Sequence, residues 1–487
     1  MSVQLKLKTL DAETICSVVG GKMKKFGGAL GSEKIVSLTT SSSEAEEGSI
    51  FCAIKGARVN GADFIPDAVE RGAVCVLTSE IPNSVSESGA AFCAVIVDDV
   101  IKAIGTLAGW YKGFSDAIFV AITGSVGKTT TKELIASVAS IKYKTHKTRG
   151  NYNNELGLPL TLLELEPDDK VAVVELGMSA RGEISYMSNL VKPDIAIVTN
   201  IGTAHLATLG TRENICKAKL EIRDGLKENG VLLINADEPL LIENASELDC
   251  NISLMSIYNR KGDYRALNIR TGSEGLTFDM IYDNKAVTNI EIPLLGKHNV
   301  YNALAAYAVG AMLGISDELI RRGLSSFVGA EMRQSIYDIG GGITVIDDCY
   351  NASPESMRAA LDVLSSIAQR KNLRPIALIG DMLELGEYSR LMHDQLGQYA
   401  AQCRIAKLFC YGMMSDVVAE AAIKKGIRAE NVFVCLDTRD PQTMANMILD
   451  TAKPGDILLV KASRAIHAEL VIDCLKRKLA KMKTPKK

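Results

Sequence analysis

Residues 119–138 read FVAITGSVGKTTTKELIASV, and the fold turns on how this stretch is read. An apolar run reaches Thr123, a glycine-rich turn follows, and Lys128 with three threonines opens a segment of helical spacing. A buried strand ending in such a turn gathers backbone N–H groups and the positive end of a helix at one point, which attracts oxyanions. Lys128 would reach the terminal phosphates of a nucleotide and Thr129 would offer its hydroxyl to magnesium. Gly124, Ser125, Val126, Gly127 and Thr130 complete the candidate cradle. The alternative is a glycine turn that only caps a helix. Lysine and two threonines directly after the glycine, at the tip of a buried strand, argue against it.

The common phosphate-loop pattern G-x-x-x-x-G-K-[ST] needs glycine at 122, where Ile122 stands, so this loop is the shorter TGSVGKTT. A guanine-reading switch would carry N-K-x-D, and the Asn-Lys pair NKAV at 284–287 lacks the aspartate. ATP is the expected nucleotide.

Outward from this stretch the chain changes texture. Up to about Gly113, short apolar runs such as GSIFCAIKG and GAVCVLTSE end in turns. From DAIFVAITG onward, VAVVELG (171–177) and DIAIVTNIG (194–202) are apolar throughout, as parallel strands covered on both faces should be. HNVYNALAAYAVGAMLGI (298–315) has the spacing of a packed helix. From Glu331, the runs ITVIDD, RPIALIGD, KLFCYG, NVFVCL and DILLVKAS alternate with helical segments, implying a second doubly wound α/β unit. The expected fold is therefore α/β in three domains: 1–113, 114–330 with the phosphate loop on a parallel sheet, and 331–487 with a Rossmann-like sheet. Ligands in such sheets lie beyond the carboxyl ends of the strands, which draws attention to Asp347, Asp348, Asp381 and Lys461.

A length of 487 residues fits about three domains of ordinary size. With 47% hydrophobic and 23% charged residues and a net charge of −3, nothing in the composition asks for a nucleic acid or a membrane surface. The N-terminus lacks the apolar core of a signal peptide, and no run is long enough for a spanning helix. Eleven cysteines, scattered without a CxxC pair, fit reduced thiols in a cytoplasm better than disulfides or a zinc site. The basic tail LKRKLAKMKTPKK reads as a solvated helix end.

The strand after the loop ends in Glu175, and the next leads into TNIGTAHL, with His205 just past its carboxyl end. A carboxylate and an imidazole beside a phosphate loop suit one or two magnesium ions. Imidazole is an unusual magnesium ligand, so for His205 alone a core or surface histidine is an equal reading.

Taken in order, these motifs resemble the Mur ligases of bacterial cell-wall synthesis. Their nearest pattern is the MurF type, which joins D-alanyl-D-alanine to UDP-N-acetylmuramoyl-tripeptide. TGSVGKTTTKE resembles the family's short phosphate loop, and TRGNYNNELGLPLTLL, with Asn153 and Asn154, its segment facing the reacting phosphate. VVELGMSARGEI and AIVTNIGTAHL carry the glutamate and histidine that bind magnesium in the family. KAKLEI puts Lys219 where these ligases have a carbamylated lysine that becomes a metal-binding anion, although a solvated face is the ordinary reading of this lysine-rich stretch. GKHNVYNALAA resembles the adenine-binding helix start, with Asn299 and Asn302 in the motif positions. EMR, IDDCYNASPESM and GDMLELGEYSRLMH match the third domain's signatures and imply that Arg333 and Asp348 reach the nucleotide.

The resemblance implies an ATP-dependent amide ligase, acting through an acyl phosphate, with Lys128, His205 and Lys219 as catalytic residues. Thr129, Glu175, His205 and Lys219 would hold magnesium, in two ions. It further implies a cytoplasmic monomer whose first domain binds the UDP group. GSIFCAIKGARVNGADFIPDAVERGA carries that likeness, with Lys55 and Gly56 as candidates. Departures are visible there: Ser41-Ser42-Ser43 replaces the usual D-S-R, and Asn60 and Ala62 replace Asp and His. VKASRAIH has alanine where glycine is common, yet keeps Lys461 and Arg464 as substrate candidates. Asn351 is a candidate dipeptide contact, with a structural turn the competing reading. Two other functions are weighed: the ligase adding the third amino acid, whose diaminopimelate-adding members carry a D-N-P-R absent here, and an ATP-hydrolysing phosphate-loop protein.

Overall fold

The computed structural model describes residues 1–83, 90–259, 261–329 and 331–483. Position 330, the expected end of the central unit, and the last four residues of the basic tail lie outside the described residues. The described strands form three sheets in sequence order, each flanked by helices.

The first sheet has six strands, ordered in space Ser2–Gln4, Ser37–Thr39, Ser49–Ala53, Ala73–Thr78, Phe92–Ile96 and Lys22–Phe26. Its middle four run parallel, and both edge strands are antiparallel.

The second sheet has nine strands and carries the quoted stretch. Thr145–Lys147, Val171–Glu175, Ile118–Thr123, Ile195–Val198, Val231–Asn235 and Asn251–Ser256 are parallel neighbours in that order. Val171–Glu175 and Ile195–Val198 are buried along their whole length, as continuous apolar runs should be when helices cover both faces. The helices Lys128–Ala139 and His298–Met312 pack together on one face, so closely that a Cβ on Gly310 would meet Val138 at 2.8 Å.

Beyond the expected parallel strands, the far edge of the central sheet continues in a different pattern. Tyr264–Thr271, Leu276–Tyr282 and Lys285–Ile292 form an antiparallel meander. Its residues alternate between buried and accessible, the pattern of strands with one wet face. The third sheet orders Ser335–Asp338, Ile343–Asp347, Asp456–Lys461, Arg374–Gly380, Lys407–Tyr411 and Val432–Cys435, with only the first pair antiparallel.

Register brings the chemistry to two edges. In the second sheet Ile122 lies beside Glu175 and Thr123 beside Val198, so the phosphate loop, Glu175 and the turn 199–205 emerge together. In the third, Asp347 lies beside Val460 and Ile379 beside Lys461, so Asp348, Asp381 and Lys461 share an edge. All eleven cysteines are free. Among the described residues no helix is long and apolar enough to cross a membrane.

Candidate active site

The phosphate loop is held by the neighbouring strand end. The N–H of Val126 donates to the side-chain oxygen of Asn200 at 3.0 Å, and the carbonyl of Val126 accepts from Thr199 and Asn200. Ser125 accepts from the N–H of Gly202 at 2.8 Å. Two glycines make this possible. Gly124 has φ +149° and is so close to Thr199 that a Cβ would fall 1.8 Å from its hydroxyl. Gly127, at φ +86°, opens the helix at Lys128 with no side chain capping it, leaving the first-turn N–H groups free of side-chain acceptors.

Lys128 donates to the Gly124 carbonyl at 2.7 Å, folded back over its own loop. Burial depresses its pKa; Glu175 and Glu384 oppose this and Arg333 adds to it. Thr129 accepts from the Arg333 guanidinium at 3.2 Å. Arg333 arrives from the far side of the chain between Met332 and Gln334, both at positive φ, and stacks on Tyr350 with its guanidinium 4.0 Å from the ring centre.

Glu175 is buried, and among the described residues its Oε1 has no hydrogen-bond partner. Lys132, equally buried, stands 3.7 Å away as an ion pair beyond hydrogen-bond reach. Asn153 donates weakly to Oε2 at 3.4 Å. A buried carboxylate oxygen without a hydrogen bond is costly, and Lys132 at 3.7 Å offsets that only in part. His205 sits at φ +67° with Nδ1 2.8 Å from Oε2 of Glu384.

Lys219 overturns the ordinary reading of its stretch. Lys217 takes the solvated face of the helix Arg212–Leu220, while Lys219 is 1% exposed. Among the described residues no hydrogen bond or ion pair reaches its amine. Burial, with the positive charge of Lys128 nearby, pushes its pKa well below that of an ordinary lysine.

These residues fit a hard divalent cation in part. They bring a buried carboxylate oxygen with no hydrogen bond among the described residues, a threonine hydroxyl and an imidazole to one edge of the sheet. Among the described residues no three His, Cys, Asp or Glu side chains gather as a metal cluster.

Other expected contacts are engaged within the protein. Asn299 donates to the Leu295 carbonyl at 2.7 Å and accepts from Asn302 at 2.9 Å. Asn302 accepts from Thr131 at 3.0 Å, so this pair ties the helix after the phosphate loop to the start of 298–312. Asp348 and Lys461, expected to touch different ligands, form a buried ion pair at 2.6 Å. Lys461 also donates to the Asn351 carbonyl at 3.0 Å, while the Asn351 side chain accepts from the N–H of Ala352. Asn154 accepts from the N–H groups of Leu156 and Gly157, as a turn into the next helix. Arg464 bonds Met332 and Glu469. Lys55 and Gly56 are exposed on a turn of the first sheet, closed by a hydrogen bond from Gly56 to Val59.

Sequence reading missed the carboxylates that cross from the third sheet's unit. Glu355 accepts from the N–H and hydroxyl of Thr203, both at 3.0 Å, and Glu384 meets His205. Both lie in quoted motifs, but their partners are over 150 positions away in sequence. Only the tertiary fold pairs them.

Comparison with known proteins agrees with this layout. Residues 34–108 match a model described as "Mur ligase family, catalytic domain", 122–310 the "Mur ligase middle domain", and 332–464 the "Mur ligase, glutamate ligase domain". The UDP-N-acetylmuramoyl-tripeptide–D-alanyl-D-alanine ligase of Bacillus subtilis is 37% identical, over 89% of this chain and 92% of its own. The protein of the same description from Escherichia coli is 33% identical over 90% and 93%. A crystal structure of MurF from Acinetobacter baumannii superposes with a TM-score of 0.86 at 30% identity, covering 96% of this chain and 99% of that one. MurF ligase from Thermotoga maritima in complex with ADP gives 0.78 at 27% identity, over 91% and 98%. The chain belongs to the Mur ligase family, and within it to the MurF type.

Proposed function

We propose that this chain joins D-alanyl-D-alanine to UDP-N-acetylmuramoyl-tripeptide at the cost of ATP, releasing ADP and phosphate, as a step in making peptidoglycan precursor. One observation carries the reading beyond likeness. Lys128, Thr129, Glu175 and His205 converge at the edge where Arg333 crosses from the linker to the third sheet.

An amide does not form from a carboxylate and an amine in water, because the carboxylate has no leaving group. Transfer of the γ-phosphoryl of ATP to the tripeptide carboxylate gives an acyl phosphate. The amine of the dipeptide attacks its carbonyl carbon, the tetrahedral adduct expels phosphate, and the amide remains. Negative charge moves across the transferring phosphoryl, and fixed cations there lower the barrier. Lys128 and Arg333 supply two, and the N–H groups of the helix start at Lys128 add their partial charge.

In this proposal Thr129, Glu175, His205 and Lys219 hold magnesium, in two ions, with Lys219 carbamylated. Held there, magnesium would supply positive charge against the phosphate oxygens as the carboxylate approaches. Burial lowers the Lys219 pKa and so favours the neutral amine, whose lone pair reaction with carbon dioxide needs, and the product would supply a further anion at the site. Asn153 flanks Glu175 on the substrate side. The Asp348–Lys461 pair, with Asn351, forms the facing wall, and Asn299 and Asn302 set the helix start against the nucleotide. Contacts of Glu355, Glu384 and Arg333 with the central unit support a closed arrangement that keeps water from the acyl phosphate.

We assign 1–113 to the UDP group, with Lys55 and Gly56 at its edge, 114–330 to ATP, and 331–487 to the dipeptide side, with Arg464. The protein is taken to work in the cytoplasm as a monomer.

The test is ADP release with magnesium, ATP, UDP-N-acetylmuramoyl-tripeptide and D-alanyl-D-alanine, omitting each in turn. Turnover with all present, and a product heavier by one dipeptide, is the expected result. Turnover without the dipeptide would make the chain a hydrolase; turnover with UDP-N-acetylmuramoyl-dipeptide and a single amino acid, and none with the tripeptide and D-alanyl-D-alanine, would make it the ligase adding the third amino acid.

A further inference from the structure

The turn that carries His205 is gripped from the third sheet's unit. Beyond the Glu355 contact with Thr203, the N–H of Ala207 donates to the Glu384 carbonyl at 3.2 Å, while the Glu384 carboxylate receives His205 Nδ1 at 2.8 Å. Backbone and side chain of one residue thus hold two positions of the same turn. His205 and Glu384 are both non-glycine residues at positive φ, +67° and +65°. Such conformations persist where their surroundings fix them, and they gather at functional contacts. Gly386 comes so near that a Cβ would meet Cα of Ala207 at 3.1 Å, so the two loops fit backbone to backbone.

The loop that presents Glu384 is itself anchored to the third unit. The N–H of Met382 donates to Nε2 of the buried His393 at 2.9 Å, and that of Leu383 to the Ser463 hydroxyl at 2.9 Å. Glu384 therefore reaches His205 from a fixed base.

We propose that Glu384 is a positioning residue for His205. Nδ1 faces the Glu384 carboxylate at 2.8 Å, which leaves Nε2 as the ring nitrogen that could accept a metal. A carboxylate behind a ligating imidazole fixes its tautomer and raises its basicity, and loss of such a partner weakens metal binding by about 10- to 100-fold. Because partner and ligand belong to different units, the metal site is complete only when the third unit is docked on the central one. This inference rests on the reading of His205 as a metal contact.

The experiment is titration of the full chain with Mn2+ in the presence of ADP, followed by the electron paramagnetic resonance of free Mn2+. The variants are Glu384→Ala, Glu384→Gln, Glu387→Gln and His205→Ala, with thermal melting of each. Glu384→Ala is expected to weaken Mn2+ binding about 10-fold or more. Glu384→Gln, whose amide oxygen still accepts from Nδ1, recovers most of it. Glu387→Gln, exposed on the same loop, leaves it unchanged. Full affinity in Glu384→Ala together with weak binding in His205→Ala would overturn the positioning role alone. Full affinity in His205→Ala would overturn the metal reading of His205 and this inference with it.

Discussion

Replacing Lys219 by methionine keeps the length of the side chain and removes only the amine. Because the side chain is 1% exposed and burial penalises its charge, stability should hold or rise when the amine is removed. If its carbamate completes the metal site, turnover should fall about 10²- to 10³-fold, comparable to loss of one group that stabilises transition-state charge. Carbon-13 bicarbonate should give a carbamate signal in the parent protein and none in the variant. Unchanged turnover would remove Lys219 from the chemistry. At this scale the sequence was legible where a residue ends a strand or opens a helix, as Lys128, Glu175 and His205 do. For Lys219 only the family position singled it out, because CKAKLEI alternates charged and apolar residues and does not say which lysine turns inward. Glu384 was hidden for another reason: its partner is 179 positions away (384 − 205), and no local pattern pairs them.

Among elements, the strand Asp456–Lys461 and the turn after Ile343–Asp347 are joined by the Asp348–Lys461 pair. Both side chains are nearly inaccessible, so Lys461→Met leaves a buried carboxylate uncompensated. Denaturant unfolding should show a loss of about 3–5 kcal/mol. Adding Asp348→Asn should recover part of it, since removing both charges costs less than orphaning one. If the single variant is as stable as the parent, Lys461 is not the structural residue its burial makes it.

The start of the helix His298–Met312 carries a pH signature. Burial, above all, holds the His298 pKa down at about 4, below its ordinary 6.5, despite the opposing pull of Asp348. As pH falls, the unfolded chain takes the proton first. This contribution is therefore whole above about pH 6.5 and is lost towards pH 4, by about 1–3 kcal/mol. The difference in unfolding free energy between parent and His298→Gln should show that slope; a flat difference would mean a solvated ring. The parallel strands were legible as uninterrupted apolar runs. The meander of 264–292 was not, because its wet face breaks the runs, and register shifts at Leu267–Arg270 and Phe278–Met280 disturb the alternation.

At the scale of the whole molecule, the ordered motifs identify the family, yet no motif states how the third unit meets the second. Arg333 on Thr129, Glu355 on Thr203 and Glu384 on His205 and Ala207 make that junction, and all three reach residues beside the phosphate loop. The first unit is where likeness and residues diverge. Ser41 and Ser43 bond each other at 2.9 Å within one turn, and Asn60 donates to Glu80 at 2.6 Å, so these positions are engaged within the first unit.

The central claim is that ATP activates a carboxylate that becomes an amide. It is tested most directly with UDP-N-acetylmuramoyl-tripeptide labelled with oxygen-18 in its carboxylates, ATP, magnesium and D-alanyl-D-alanine, by weighing the phosphate released. An acyl phosphate passes one carboxylate oxygen to that phosphate, so one oxygen-18 per phosphate is predicted. Unlabelled phosphate would mean that water took the phosphoryl group, and would contradict the account.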